Sequence, residues 1–178
     1  AYEILRCLVG SDMCIRDSYH TVANKGLLYC FGHGLSYTQF KYDNLVIDSI
    51  HTHTGNVTVS CTVTNVGSRE GDEVVQLYVN DVISSTTTYE KNLRGFERVH
   101  LKPNESCTVS FPIVPDDLIL INAKHERVVE PGEFKVMVGS SYSDIRLSDS
   151  FYYRASQSDV SKIVNKKEKI MNDIEYAQ

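Results

Sequence analysis

Carboxyl groups can divide nucleophilic and acid–base work between them when they lie about 5 to 5.5 Å apart. The chain offers two places to look. Asp116-Asp117 are neighbours in a Pro115-led corner, and Glu70, Asp72 and Glu73 flank Gly71. With 23 acidic residues in 178, such groupings arise from composition alone, and acids in turns ordinarily hydrogen-bond the backbone or face water. Neither group is assigned a catalytic role. His51-Thr52-His53 puts two imidazoles on one face of a strand, a spacing that can bind metal, but no third ligand lies nearby in sequence. A solvent-facing strand end accounts for the pair, and no metal ligand or cofactor-binding residue is assigned. Gly32-x-Gly34 resembles a phosphate-cradling loop only in spacing. That loop needs a strand before it and a helix after it, whereas here a strand follows. His33 is expected to satisfy a backbone carbonyl in a hinge rather than to approach a neighbouring domain, and the polar Ser84–Thr88 run is expected to be a solvated loop rather than a sugar-contacting one.

The cysteines are equally sparing of chemistry. Five of them (Cys7, Cys14, Cys30, Cys61, Cys107) leave at least one unpaired, and no Cys-x-x-Cys spacing occurs. Cys61 and Cys107 fall on the apolar faces of two predicted strands, where buried thiols are expected in preference to a bridge. Asn56-Val57-Thr58 and Asn104-Glu105-Ser106 fit the glycan acceptor pattern, which matters in a eukaryotic secreted protein.

The net charge of −5 disfavours a nucleic-acid surface, and no basic stripe with interleaved aromatics appears. Lys162, Lys166, Lys167 and Lys169 cluster, but Glu168 and Asp173 sit among them, as on a solvated helix face. No run of about 18 apolar residues exists to span a membrane. At 42% apolar and 23% charged, the composition is that of a globular chain long enough for one well-buried domain.

The elements follow from period. Val57, Val59, Cys61 and Val63 alternate with Thr58, Ser60, Thr62 and Thr64, a strand with one buried face. Val75, Leu77 and Val79 repeat the alternation, while Val74 and Tyr78 on the opposite face predict that this surface is covered too. Further strands are expected over 96–101, over Cys107, Val109, Phe111 and Ile113, over Phe134, Val136 and Val138, and over Ile145, Leu147 and Phe151. Pro112 places its strand at a sheet edge or a bulge. With the strand entered after Tyr37, the spacing predicts about seven strands and an all-β fold of the immunoglobulin or fibronectin type; periodicity alone does not separate a sandwich from a barrel. Val160, Ile163, Val164, Ile170, Met171 and Ile174 recur at helical spacing after Ser158-Asp159, predicting a C-terminal amphipathic helix.

The stretch Phe31-Gly32-His33-Gly34-Leu35-Ser36-Tyr37-Thr38-Gln39-Phe40, after Leu28-Tyr29, resembles the linker into the C-terminal fibronectin type III-like domain of glycoside hydrolase family 3 enzymes. Glu73–Val79, Leu93–Val99, Pro131–Gly139 and Asp144–Ser148 resemble that family in the same order, covering about 27–151. The family usually has proline where this chain has Leu27 and Cys30. The resemblance selects the sandwich. It implies a parent enzyme that hydrolyses β-linked glucosides or xylosides with retention and without metal or organic cofactor. In the family an N-terminal (β/α)8 barrel supplies the nucleophilic aspartate and the domain after it usually supplies the acid/base glutamate. Neither segment is present, so no catalytic residue carries over and the chain alone is expected to be inert. The implied partners are the catalytic domains of the same enzyme, through a face carrying Val74 and Tyr78, and the family tends towards secreted or periplasmic placement. The competing expectation is a free-standing module binding cell-surface protein or polysaccharide.

The expected organisation is an N-terminal segment 1–18 foreign to the fold, a linker 19–38, the sandwich 39–153 and a helical tail 154–178. Arg6–Ser18 resembles a peptide that recurs when adapter sequence in shotgun assemblies is read as protein, and it lacks the pattern of a secretory signal.

Overall fold

The computed structural model describes residues 29–49, 51–54 and 56–154. The segment 1–18, the predicted helix over 158–174 and the lysine cluster lie outside the described residues.

Alternating side chains dictate two sheets sharing one apolar layer. Strands β1 (Phe40–Ile47), β3 (Val57–Asn65) and β6 (Ser106–Ile113) form a three-stranded antiparallel sheet in the order β1-β3-β6. The second sheet comprises β2 (His51–Thr52), β4 (Gly71–Asp81), β5 (Asn92–Leu101), β9 (Gly132–Gly139) and β10 (Ile145–Tyr153), in the order β2-β10-β9-β4-β5. Its pairings are antiparallel except for the short β2–β10 contact. β7 (Leu120–Ile121) and β8 (Arg127–Val128) make a separate small hairpin. β1 lies beside β10 at one side and β5 beside β6 at the other, closing the two sheets into a sandwich.

The seven longer strands are those the alternation predicts. β2, β7 and β8 have two residues each, too few to show any period; β2 falls on the stretch read as a strand end at His51-Thr52-His53, whereas β7 and β8 escape a reading of the sequence. Pro112 pairs opposite Thr58 on β6, an edge strand, where its missing N–H removes no ladder bond on the outer side.

The core between the sheets is continuous. Val59, Cys61 and Val63 from β3 meet Val75, Leu77 and Val79 from β4, with Val109 and Phe111 from β6 and Phe134, Val136, Val138, Phe151 and Tyr153 from β9 and β10. The Phe134 and Phe151 rings stack with centroids 5.6 Å apart. Burying an apolar side chain of this size contributes about 1.5–3 kcal/mol, so this layer dominates stability. Cys61 lies within it as a free thiol whose burial pushes its pKa up to about 11. Cys107 is also free, half-buried beside it on β6, as expected of a small apolar residue.

A second, smaller apolar cluster lies on the other side of the five-stranded sheet. Tyr78, Met137 and Tyr142 are buried there, with Cys30, Leu93 and Ile145 packed around them.

Candidate functional site: the strapped outer face

The outer face of β4 presents Asp72, Val74, Gln76 and Tyr78, because strand residues alternate sides. Two pieces of chain cross it: residues 29–39, before β1, and residues 140–144, joining β9 to β10. Gln76, 4% exposed, holds them together. Its Nε2 donates to the Ser140 carbonyl at 2.7 Å and to the Gly32 carbonyl at 3.4 Å, while its Oε1 accepts from the Tyr78 hydroxyl at 2.5 Å. The Tyr142 N–H donates to the Phe31 carbonyl at 3.0 Å, tying one crossing segment directly to the other. Gly32 has φ 75°, and a Cβ there would stand 2.4 Å from the Gln76 amide. Glycine is thus required twice over, by backbone conformation and by contact. What the sequence suggests as a hinge is a bonded strap.

Tyr78 accordingly has no exposed surface; the Tyr142 ring packs edge-on against it at 5.9 Å, and burial pushes its hydroxyl up to about 12. This corrects the expectation that Tyr78 presents an interdomain surface. Alternation correctly says that this face is covered, but the cover is the chain's own strap and 140–144 segment. Lys91 completes it, its ammonium 4.5 Å above the Tyr142 ring and 2.8 Å from the Tyr142 carbonyl. Cys30 joins the strap to the same segment through a 2.9 Å contact with the Ser143 hydroxyl. Burial raises that thiol's pKa, but the Ser143 and Ser141 hydroxyls outweigh it and hold it below its ordinary value.

Beyond Gly32 the strap arches away and encloses an open groove of about 1290 Å³ between itself, β4, β5 and the start of β10. Arg146 organises its floor. The guanidinium pairs with Asp144 at 2.8 Å, donates to the Phe40 carbonyl and sits 5.1 Å above the Tyr42 ring. The Tyr42 hydroxyl donates to Glu73 at 2.7 Å. Burial raises the Glu73 pKa, against the opposing pull of the Tyr42 hydrogen bond and the Arg146 charge.

The acids singled out by sequence are dispersed. Glu73 is buried under Tyr42, while Asp72 faces outward, accepting from Arg98 Nε at 3.0 Å and contacting His100 Nδ1 at 2.6 Å. Arg98 first and then His100 hold the Asp72 carboxyl below its usual range. Glu70 stands 3.9 Å from the same imidazole. Asp117 accepts from the Val114 N–H at 3.0 Å in the short 3-10 turn Pro115–Leu118, a backbone role. The Ser84–Thr88 loop is held rather than merely solvated: Ser85 donates to Glu130, and Thr86 to the Ile121 carbonyl. His33 stacks on Tyr29 with ring centroids 4.9 Å apart, and His53 lies 3.3 Å from the Arg154 carbonyl. Among the described residues no group of three or more His, Cys, Asp or Glu could hold a metal ion, and no helix is long and apolar enough to cross a membrane.

At the rim of this face, Val74, which the sequence reading assigns to a contact surface, is joined by apolar residues with no assignment from sequence. Leu35 and Tyr37 are each 94% exposed, Phe96 is 70% exposed and Val74 39%. Phe96 pairs opposite Gln76 across β4 and β5, and Leu35 and Val74 line the same groove. The available signal is two bulky apolar residues set among glycine and serine outside any strand.

Residues 73–142 match the fibronectin type III-like domain family. The chain carries a fibronectin type III-like domain. Its relatives place that domain within larger proteins. It is 48% identical over 120 residues to a β-xylosidase of Formosa agariphila, covering 67% of this chain and 17% of the relative. It is 45% identical over 122 residues to the periplasmic β-glucosidase of Salmonella typhimurium, covering 68% of this chain and 16% of that one. Among solved structures, the GH3 β-glucosidase of Bifidobacterium adolescentis superposes with a TM-score of 0.70 at 31% identity, over 76% of this chain and 20% of its own. The domain is homologous to the C-terminal part of these enzymes, and the chain spans about a sixth of the length of the curated relatives it matches.

Proposed function

We propose that this fibronectin type III-like domain is the accessory module of a β-glucosidase- or β-xylosidase-like glycosidase, bracing the catalytic part of the same polypeptide and supplying no catalytic residue. The rim formed by Leu35, Tyr37, Val74 and Phe96 is the observation that carries this reading. Apolar side chains exposed to this degree beside a bonded strap mark a contact surface. Tyr78 serves the surface indirectly, by anchoring the strap beneath it. The dispersal of Asp72, Glu73 and Asp117 into an ion pair, a buried hydrogen bond and a turn contact supports the absence of a hydrolytic site in this part. In this reading the whole enzyme cleaves β-linked glucosides or xylosides with retention, and chain organisation follows the division into a linker to about 38 and a sandwich over 39–153.

One observation favours a binding module instead: Tyr37 and Phe96 are exposed aromatics of the kind on which sugar rings stack. The 178-residue chain separates the two readings. Assayed on aryl β-glucosides and β-xylosides, and titrated calorimetrically with gluco- and xylo-oligosaccharides, it is expected to show neither turnover nor binding. Saturable oligosaccharide binding abolished by Tyr37→Ala would establish the module and overturn the brace.

A further inference from the structure

Two buried side-chain atoms, Asp81 Oδ2 and Arg94 Nε, have no hydrogen-bond partner. Both residues line one small cavity, of about 30 Å³, walled by Thr88, Asn92, Leu118 and Phe134.

The fold explains why the cavity exists. β4 and β5 slip register between Leu77, which faces Gly95, and Tyr78, which faces Leu93. Arg94 is the extra residue of that bulge, and a bulge re-aims its side chain. It meets the apolar Phe134 and the buried Leu118 of the 3-10 turn, while Asp81 reaches the same space from the end of β4. The two form no ion pair with each other, and Ile83 supplies Asp81 with a backbone hydrogen bond.

We propose that this cavity is a structural water site, holding one or two ordered molecules that accept from Arg94 Nε–H and donate to Asp81 Oδ2. A water needs roughly 10–15 Å³ of such space and two to four polar partners, and both conditions are met. Nothing larger fits. A cation is opposed by the Arg94 guanidinium, and an anion by the Asp81 carboxylate and the nearby Glu130 charge. A neutral molecule able to donate and accept satisfies both walls. The orphaned atoms would otherwise each carry an uncompensated desolvation cost. The site ties the β4–β5 bulge to the Pro115–Leu118 corner beneath the loop that begins at Val82.

A high-resolution crystal structure of the 178-residue chain is expected to show one or two waters within hydrogen-bond distance of both atoms. Water-deuteron magnetic relaxation dispersion in solution should register the same long-lived molecules. A dry cavity, or Asp81 and Arg94 closed on each other as a direct ion pair, overturns the site. Thermal melts add an independent readout. Asp81→Leu and Arg94→Met should each lower Tm by about 5 °C, and the double variant should lose less than their sum, because it leaves no orphan for the water to serve. Strict additivity would contradict the shared site, and if a variant does not fold, the crystal structure of the unaltered chain still decides.

Discussion

The two sides of the five-stranded sheet are held by different physics. The inner side is an apolar layer closed by strand alternation, in which Val59, Val63, Val75, Leu77, Val136 and Val138 have no exposed surface. The outer side is closed by a few directional bonds centred on Gln76, with a small Tyr78–Met137–Tyr142 cluster beneath the strap and a groove beside it. Burial of the first kind is non-directional and additive in area. Closure of the second kind fails when one partner is lost. The inner side therefore sets whether the domain folds, and the outer side sets which surface it presents.

The largest expected effect tests the inner layer. Phe134→Ala removes a ring stacked on Phe151 and buried to 2% exposure, and should cost about 3–5 kcal/mol in chemical denaturation. Asn65→Ala comes next and joins the two regions. Asn65 is fully buried, donating to the Arg69 and Leu101 carbonyls and accepting from the Thr38 hydroxyl and the Gly67 N–H. Losing these bonds should cost about 2–3 kcal/mol and speed amide exchange at the strap's C-terminal end as well as globally.

Gly32→Ala acts on the strap alone. It should cost about 1–2 kcal/mol from the positive φ and the contact with Gln76, and amide exchange should rise at Tyr142 while the β3 and β4 amides stay protected. Global loss of protection with this variant would mean that the two faces are not separable.

A smaller, pH-dependent effect distinguishes Glu73. Its folded pKa is raised above the ordinary 4.5, chiefly by burial, so its contribution is fully present below the unfolded pKa and is lost as pH rises through the folded pKa. Stability relative to Glu73→Gln should thus fall as pH is raised from about 4.5, and a difference that grows with pH instead would show that the Arg146 and Tyr42 interactions outweigh burial. The smallest effect is expected from Leu35→Ser with Tyr37→Ser, which should change the stability of the chain alone by within about 0.5 kcal/mol, since both side chains are 94% exposed.

The same contrast explains what was legible in the sequence. Alternation along Val57–Thr64 and Val75–Val79 encodes the inner face locally, residue by residue, so strand identity and the edge placement of β6 by Pro112 are readable. The outer face rests on contacts far apart in sequence, such as Gln76 with Ser140 and Phe31 with Tyr142, which no local period encodes. Tyr78 shows the boundary: its position predicts cover but not the source of that cover. Gln76 does leave a trace, as an amide set in a run of otherwise apolar strand residues, which needs internal partners once both faces are covered. The dispersal of Asp72 and Glu73 to separate environments was partly readable, because adjacent strand residues face opposite ways. The Arg94 bulge was not, since it depends on the register of two strands.

The central claim is that the rim of the outer face is a contact surface for the rest of a glycosidase. Its most direct test is a chimera in which residues 29–154 replace the matching 122-residue part of the Salmonella typhimurium periplasmic β-glucosidase, compared with the chain alone. Leu35→Ser with Tyr37→Ser should leave the Tm of the chain alone within about 2 °C. In the chimera the same pair should lower Tm by about 5 °C or more and reduce hydrolysis of an aryl β-glucoside after mild heating. Identical melting and activity of the two chimeras would contradict the claim.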